Sequence, residues 1–150
     1  MIISEHTGTA LTIDDNFVPP WKPYMTLAKG TKGQIWHFKC DKKYIDQFTI
    51  ISLLLPQMAM DRGCELIDVQ ERAAVIINYE ANTSDVQNQK WRLGNSMSND
   101  KAYKVESVFD GRVFDTGGAS FKEGGGIWVW PQNHKIAQNF YLIPMDNYSE

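Results

Sequence analysis

The stretch VQNQKWRL (86–93) places Gln89 two positions before Trp91, between apolar neighbours. The same pairing of a glutamine with a large ring occurs in GQIWHF (33–38) and, with phenylalanine as the ring, in AQNFYL (137–142). The glutamines of the three motifs lie 55 and 49 positions apart. Near-equal spacing of one motif within a short chain indicates an internal repeat.

Two short apolar segments precede each motif. The first ends at an aspartate, in LTID (11–14), MAMD (58–61) and RVFD (112–115). The second runs towards the motif, in YMTLA (24–28), AVIINY (74–79) and GIWVW (126–130). We therefore divide a single domain, residues 1–150, into three repeats at about 1–45, 46–97 and 98–150.

Alternating apolar residues predict an all-β chain. YKVESVF (103–109) and IWVW (127–130) alternate with period two, and glycine-rich turns such as Asp110–Gly111 separate such segments. Helical periodicity is nearly absent, with one turn at most expected between Asp61 and Arg72. A hydrophobic content of 43% in 150 residues supports a buried core and excludes a disordered chain.

The glutamine and the ring of each motif serve the core in this interpretation. Residues i and i+2 of a strand point to the same face, so Gln89 and Trp91 point together. A buried tryptophan contributes several kcal/mol of apolar burial, on the order of 4–6 at ~25 cal/mol per Å². A buried amide requires hydrogen-bond partners, and loop backbone is the natural source. Trp91 is therefore predicted to be structural.

Charge and motif content exclude several functions. The net charge of −3 argues against nucleic-acid binding, and no apolar run approaches the ~20 residues of a membrane helix. The three histidines lack metal-ligand spacing, and no hydrolase or Cys–His motif occurs, so we expect neither metal, cofactor nor enzymatic activity. Two cysteines make no disulfide framework, and without a secretory signal we expect a cytoplasmic protein with free thiols.

With QIW, QKW and QNF as three QxW motifs, the whole chain resembles the ricin B-chain type of β-trefoil lectin. The resemblance implies a β-trefoil with pseudo-threefold symmetry that binds galactose- or N-acetylgalactosamine-type glycans and glycoproteins. It also implies a site in which an aspartate accepts hydrogen bonds from sugar hydroxyls and an aromatic ring stacks on the sugar. An asparagine completes the polar contacts.

The third repeat matches this site best. It offers Asp115, Trp130 and Asn133, supported by Gln138, although Ala137 replaces the asparagine expected before the glutamine. His134 is a further candidate polar contact. Trp128 and Trp130 share one face of their strand, which is either core or partly exposed for binding.

The other two repeats match less well. The second offers Asp61, Tyr79 and Asn88, but 18 positions separate Asp61 from Tyr79 where 15 separate the third-repeat pair, so an inserted bend is needed. The first repeat has Asp14 but Ala28 at the aromatic position and Gly33 before its glutamine, and it reads as degenerate.

Other interpretations stay open at this point. Each aspartate is equally consistent with a turn carboxylate that accepts hydrogen bonds from loop amides. The proline-rich segment VPPWKPY (18–24), with Trp21 as an anchor, suits a protease inhibitor or another protein-binding module, or a plain connector. A homodimer would strengthen glycan binding through multivalency.

Overall fold

The computed structural model of the 150-residue chain describes residues 1–14, 22–66, 73–81, 86–117 and 125–145, with no side chains described for 64–66. Within these ranges the secondary structure is strands and three single-turn 3-10 helices. The strands are β1 Ile2–Ser4, β2 Ala10–Thr12, β3 Tyr24–Thr26, β4 Trp36–Cys40, β5 Phe48–Ser52, β6 Met58–Leu66, β7 Ala73–Tyr79, β8 Trp91–Asn95, β9 Tyr103–Ser107, β10 Val113–Asp115, β11 Trp128–Trp130 and β12 Phe140–Leu142. The prediction of an all-β chain is confirmed.

The described elements recur in groups of four strands. In each group a 3-10 helix precedes the fourth strand and ends at the glutamine of a QxW motif; these helices are Lys32–Gln34, Gln87–Gln89 and Ile136–Gln138. The expected repeat boundaries fall between β4 and β5 and between β8 and β9. The expectation of at most one helical turn within 61–72 agrees with the described part of that stretch, because Asp61–Leu66 belongs to β6; residues 67–72 lie outside the described ranges.

Antiparallel pairing closes part of the sheet into a barrel. The ring runs β5–β6–β7–β11–β10–β9–β8 and back to β5. The remaining described strands extend this ring at two places. Strand β4 pairs with β5, and the strands β12, β1, β2 and β3 follow one another from β9. Closure of short strands in this way satisfies backbone groups that would otherwise form an open edge.

One cross-strand pair occurs three times and joins consecutive repeats. In each case the ring of a QxW motif faces a buried serine that ends the first strand of the next repeat. The pairs are Trp36–Ser52, Trp91–Ser107 and Phe140–Ser4. The last pair joins the third repeat to the first, so the N-terminal strand completes the structure.

The QxW rings lie in one hydrophobic core. Trp91 is 1% exposed, and its ring lies 4.8 Å from that of Phe114, which in turn lies 5.9 Å from that of Phe140. Trp36 belongs to the same cluster. The buried indole N–H groups are satisfied, because Trp36 donates to the Leu11 carbonyl and Trp91 to the Met60 carbonyl, each at 3.1 Å. The prediction that Trp91 is structural is confirmed.

Each QxW glutamine ties a loop to this core, as predicted. Its Oε1 accepts a hydrogen bond from a loop backbone N–H. Its Nε2 donates to a backbone carbonyl at the end of the third strand of the repeat; the three acceptors are the carbonyls of Leu27, Tyr79 and Pro131. The same Nε2 donates at 3.1 Å to a side-chain oxygen on the second strand of the repeat. The three acceptors on that strand are Thr12 Oγ1, Asp61 Oδ2 and Asp115 Oδ2.

Candidate functional site

The glutamine hydrogen bonds align the repeats position by position. Asp61 and Asp115 accept from their glutamines in the same way, and the residue in this position of the first repeat is Thr12. The predicted alignment of Asp14 is therefore wrong by two residues. The Asp14 carboxylate instead accepts a hydrogen bond from the Tyr24 hydroxyl at 3.1 Å.

The aromatic position follows from the strand register. Phe114 faces Val129 across β10 and β11, and Met60 faces Ile77 across β6 and β7. The residue after Val129 is Trp130, whereas the residue after Ile77 is Asn78.

Tyr79 is accordingly one position out of register with Trp130, and it is equivalent to Pro131. Its side chain is exposed, with 61% of the residue accessible. Its backbone carbonyl oxygen accepts the hydrogen bond from Gln89 Nε2 that recurs in each repeat. In the first repeat Thr26, not Ala28, holds the position of Trp130, because Met25 faces Leu11.

A β-bulge explains the spacing of the second repeat. The β6–β7 pairing shifts register between Arg62 and Leu66, so that Asn78 follows Asp61 by 17 positions while Trp130 follows Asp115 by 15. The inserted bend that the sequence requires is present. It does not bring Tyr79 into the aromatic position, because the insertion accounts for two extra residues and not three.

In the third repeat the predicted residues meet around one open cavity of about 520 Å³, here called the third-repeat pocket. It brings together Asp115, Trp130 and Asn133, three of the residues predicted from the sequence. Gln138 is fully buried and acts through its hydrogen bond to Asp115. The remaining lining residues are His6, Gly117, Lys135, Ile136 and Ala137.

Asp115 ends β10 at the wall of this pocket. One carboxylate oxygen accepts from the Gly117 N–H at 2.6 Å and the other from Gln138 Nε2 at 3.1 Å. Each oxygen has two lone pairs, so each retains capacity for a ligand hydroxyl. Burial lowers the pKa of nearby Lys104, while the negative charges of Asp115 and Glu5 oppose that shift. The charges of Lys104 and Asp115 thus attract each other.

Trp130 presents its ring on the outer face of β11. Val129 is buried, whereas Trp128 and Trp130 on the opposite face are partly exposed, as strand alternation requires. The two indoles have different surroundings. The Trp128 ring lies against Gly117 and Gly126, where an added Cβ would come within 2.6 Å of it, and only Trp130 lines the third-repeat pocket.

Asn133 lies in the turn before the last 3-10 helix. Its backbone N–H donates to Gln138 Oε1 at 2.9 Å, and its side-chain Oδ1 accepts from the Lys135 N–H at 2.9 Å. The side-chain amide nitrogen has no acceptor among the described residues and remains available as a donor. His134, at φ 61°, lies 3.5 Å from Gln132 through its ring nitrogen and does not line the pocket.

The second repeat gathers amides around its carboxylate. Asp61 is 3% exposed and accepts from Asn88 Nδ2 at 2.8 Å, from Gln89 Nε2 at 3.1 Å and from Asn78. Burial raises the pKa of Asp61, and these hydrogen bonds oppose the shift. Asp61 and Asn88, both predicted to bind sugar, therefore hydrogen-bond to each other within the protein, and Asn78 holds the position of the aromatic ring.

The first repeat lacks the expected aspartate, aromatic ring and asparagine. Thr12 and Thr26 hold the positions of Asp115 and Trp130, and Gly33 precedes the glutamine where an asparagine is expected. A cavity of about 380 Å³ is nevertheless present there, lined in part by Lys29 and Lys32.

Sequence reasoning missed His6 and Lys135 as lining residues. His6 follows Ser4 by two positions and reaches the third repeat because Ser4 pairs with Phe140. A sequence signal for His6 exists in the tripeptide IIS, which occurs at 2–4 and 50–52. It aligns the first strands of two repeats and makes His6 equivalent to Leu54. Leu54 lines the cavity of the first repeat.

Four other expectations concern metal binding, membrane helices, the cysteines and the proline-rich segment. No cluster of three potential metal ligands occurs in the described part of the chain. The helices found there are all too short to cross a membrane. Cys40 is a free, exposed thiol, and the side chain of Cys64 is not described. Most of the segment 18–24, including Trp21, lies outside the described residues.

Comparison with solved structures supports the architecture. The chain is similar to ThreeFoil, a designed threefold-symmetric protein, with a TM-score of 0.80, 20% identity and 96% of both chains covered. It is similar to the Rhizoctonia solani agglutinin, with a TM-score of 0.77, 14% identity and coverage of 96% of this chain and 92% of the other.

A third similar structure is the ricin B-like lectin of Macrolepiota procera in complex with lactose, with a TM-score of 0.71, 15% identity and coverage of 93% and 90%. In some larger neighbours the chain corresponds to less than a third of the other protein. No family model and no curated protein sequence matches the chain. At these identities the comparisons show the fold: an all-β chain with a closed barrel, similar to known β-trefoils.

Proposed function

We propose that this protein is a β-trefoil of three pseudo-threefold repeats that binds carbohydrate through the third-repeat pocket. The observation that carries the proposal is the meeting of a partly exposed indole, Trp130, with the carboxylate of Asp115 and the side-chain amide of Asn133, whose nitrogen has no acceptor among the described residues. A pyranose presents a C–H face to the indole and hydroxyls to the polar groups, and its ring is small enough for a cavity of about 520 Å³.

Each group has one task in the bound state. The Trp130 ring packs against the apolar face of the sugar. Asp115 accepts hydrogen bonds from ring hydroxyls, and its orientation is fixed by Gly117 and Gln138. Asn133 donates to a further oxygen. We propose galactose- or N-acetylgalactosamine-type glycans as ligands, a choice supported by the lactose complex of the similarly folded Macrolepiota procera lectin.

We assign recognition to the third repeat alone. In the second repeat the carboxylate of Asp61 already accepts from three amides, and Asn78 takes the place of the stacking ring. One site per chain gives modest affinity, and a homodimer or a multivalent glycoprotein would strengthen attachment without any new contact.

Calorimetric titration with galactose, N-acetylgalactosamine and lactose tests the proposal. We expect one site per chain, with binding lost in Trp130→Ala and Asp115→Ala. Tyr79→Ala is the matched control, because it removes an exposed aromatic side chain outside the pocket. Unfolding curves establish that each variant is folded. Normal glycan binding by folded Trp130→Ala, or equal loss in Tyr79→Ala, would contradict the assignment.

A further inference from the structure

At the position directly before the 3-10 helix, the third repeat has a cationic residue and the other two repeats have none. Lys135 directly precedes the last 3-10 helix, and the residues in the same position are Thr31 in the first repeat and Val86 in the second. Lys135 lines the pocket and is exposed. Its ammonium group has no hydrogen-bond or ion-pair partner among the described residues, unlike Lys39, which pairs with Glu80.

The neutral amide expected beside this cation is absent. The second repeat has Asn88 directly before its glutamine, and that amide points to Asp61. The third repeat has Ala137 there, so the position before its glutamine offers a methyl group and no amide. A ligand substituent on this side therefore meets the ammonium group of Lys135, with the amide of Asn133 as the neighbouring polar group.

A second lining residue also distinguishes this pocket. His6 lines the third-repeat pocket at the position that Leu54 holds in the cavity of the first repeat. An imidazole there adds a polar ring to a wall that is aliphatic in the first repeat. The carboxylate of Asp115 accepts hydrogen bonds from the Gly117 N–H and from Gln138, and the charge of Lys104 attracts it. The pocket thus combines a carboxylate suited to hydroxyls with a separate cation, Lys135, that has no partner in the part of the chain that the structure describes.

We propose that the sugar recognised in the third-repeat pocket carries an anionic substituent, a carboxylate or a sulfate, that pairs with Lys135. This inference rests on the proposed function and specifies its ligand class. Trp130 and Asp115 hold the sugar ring, and Lys135 selects the charged form over the neutral one. The selectivity is modest, because an exposed ion pair corresponds to an affinity ratio of about two- to fivefold at low salt and is screened at high salt.

Matched glycosides provide the test. Affinities of the folded protein for methyl galactoside, methyl galacturonoside and 6-O-sulfated methyl galactoside are measured by titration at low and at high ionic strength. We expect both acidic ligands to bind about two- to fivefold more tightly than the neutral one at low salt, with the ratio shrinking at high salt. The carboxylated and sulfated ligands separate the two sources of negative charge.

Two lysine variants localise the effect. In Lys135→Gln the ratio of acidic to neutral affinity should fall to about one, and in Lys135→Glu it should fall below one. Lys32→Gln is the matched control, since it removes an exposed lysine from the equivalent cavity of the first repeat, and it should leave the ratio unchanged.

The outcomes separate the two proposals. Equal affinities for acidic and neutral ligands, or a preference that survives Lys135→Gln or disappears in Lys32→Gln, would overturn the anionic ligand class and leave the carbohydrate site standing. Failure of all three ligands to bind would overturn the carbohydrate site itself, and the ligand class with it.

Discussion

Asn78 on β7 occupies the position that Trp130 occupies on β11, because Ile77 and Val129 face equivalent residues of the adjacent strands. Both side chains lie on the outer face of the barrel, and each follows a buried aliphatic residue. The two repeats share the buried aspartate and the glutamine that orients it. They differ at this outer position, where the third repeat has an indole ring that lines the pocket and the second has an amide that binds the carboxylate of Asp61.

Asn78→Trp should therefore create a second carbohydrate site. The change adds the stacking ring and removes one of the amides that bind Asp61, while Asn88 remains in place. Titration should show the number of sites per chain rising from one to two. Tyr79→Trp is the control, because it introduces the same ring one position out of register, on the wrong side of the strand. A folded Asn78→Trp protein with a single site would contradict this prediction.

Trp91→Ala should reduce stability before it affects any ligand. The substitution opens a cavity beside Phe114 and leaves the Met60 carbonyl without its indole donor. Removal of a buried large aromatic ring typically costs about 3–5 kcal/mol. Urea unfolding followed by fluorescence measures the loss. Ile45→Ala, at a residue that is 93% exposed, should change the free energy of unfolding by less than about 0.5 kcal/mol. Comparable losses in both variants would show that Trp91 is not central to the core.

The sequence predicted the parts of this structure that follow from a repeated local pattern. A glutamine and a ring two positions apart predicted the buried Trp91 and the loop contacts of Gln89, because strand geometry and the cost of an unpaired amide leave few alternatives. Period-two alternation placed Asp115 and Trp130 at the ends of two successive strands, which the structure pairs. Their choice as site residues came from the resemblance to the ricin B-chain type of lectin and not from periodicity.

The errors in alignment have a different physical origin. Asp14 was aligned by residue type, but the structural equivalent is Thr12, whose hydroxyl also accepts a hydrogen bond from the glutamine. Tyr79 was aligned across a bulge whose length the sequence does not specify. The place of His6 in the pocket depends on pairing between the first and last strands, so its sequence signal is the repeated tripeptide IIS of the first two repeats and not a pattern near the QxW motif of the third.

Asp41 and Lys90 should make stability depend on pH in the acidic range. Their side chains are 2% and 12% exposed, and Lys90 Nζ lies 2.9 Å from Asp41 Oδ2. The hydrogen bond from Lys90, together with the backbone N–H groups of Lys43 and Tyr44, lowers the pKa of Asp41 to about 2. In the unfolded chain an aspartate has a pKa of about 3.9. Because the folded-state value is the lower one, the ionised carboxylate stabilises the fold above about pH 4, and this contribution is lost as the pH falls from about 4 to about 2.

Asp41→Asn removes this titration and isolates its effect. The variant should be less stable than the parent at pH 7, because Lys90 loses its ion-pair partner and keeps only the Thr49 hydroxyl, and the difference in the free energy of unfolding should narrow as the pH falls towards about 2. Urea unfolding at intervals between pH 2 and pH 7 measures both curves. Asp46→Asn is the control, because Asp46 is 64% exposed and its pair with Arg92 contributes little. A gap between parent and Asp41→Asn that stays constant over this range would show that the stability at Asp41 does not come from its charge.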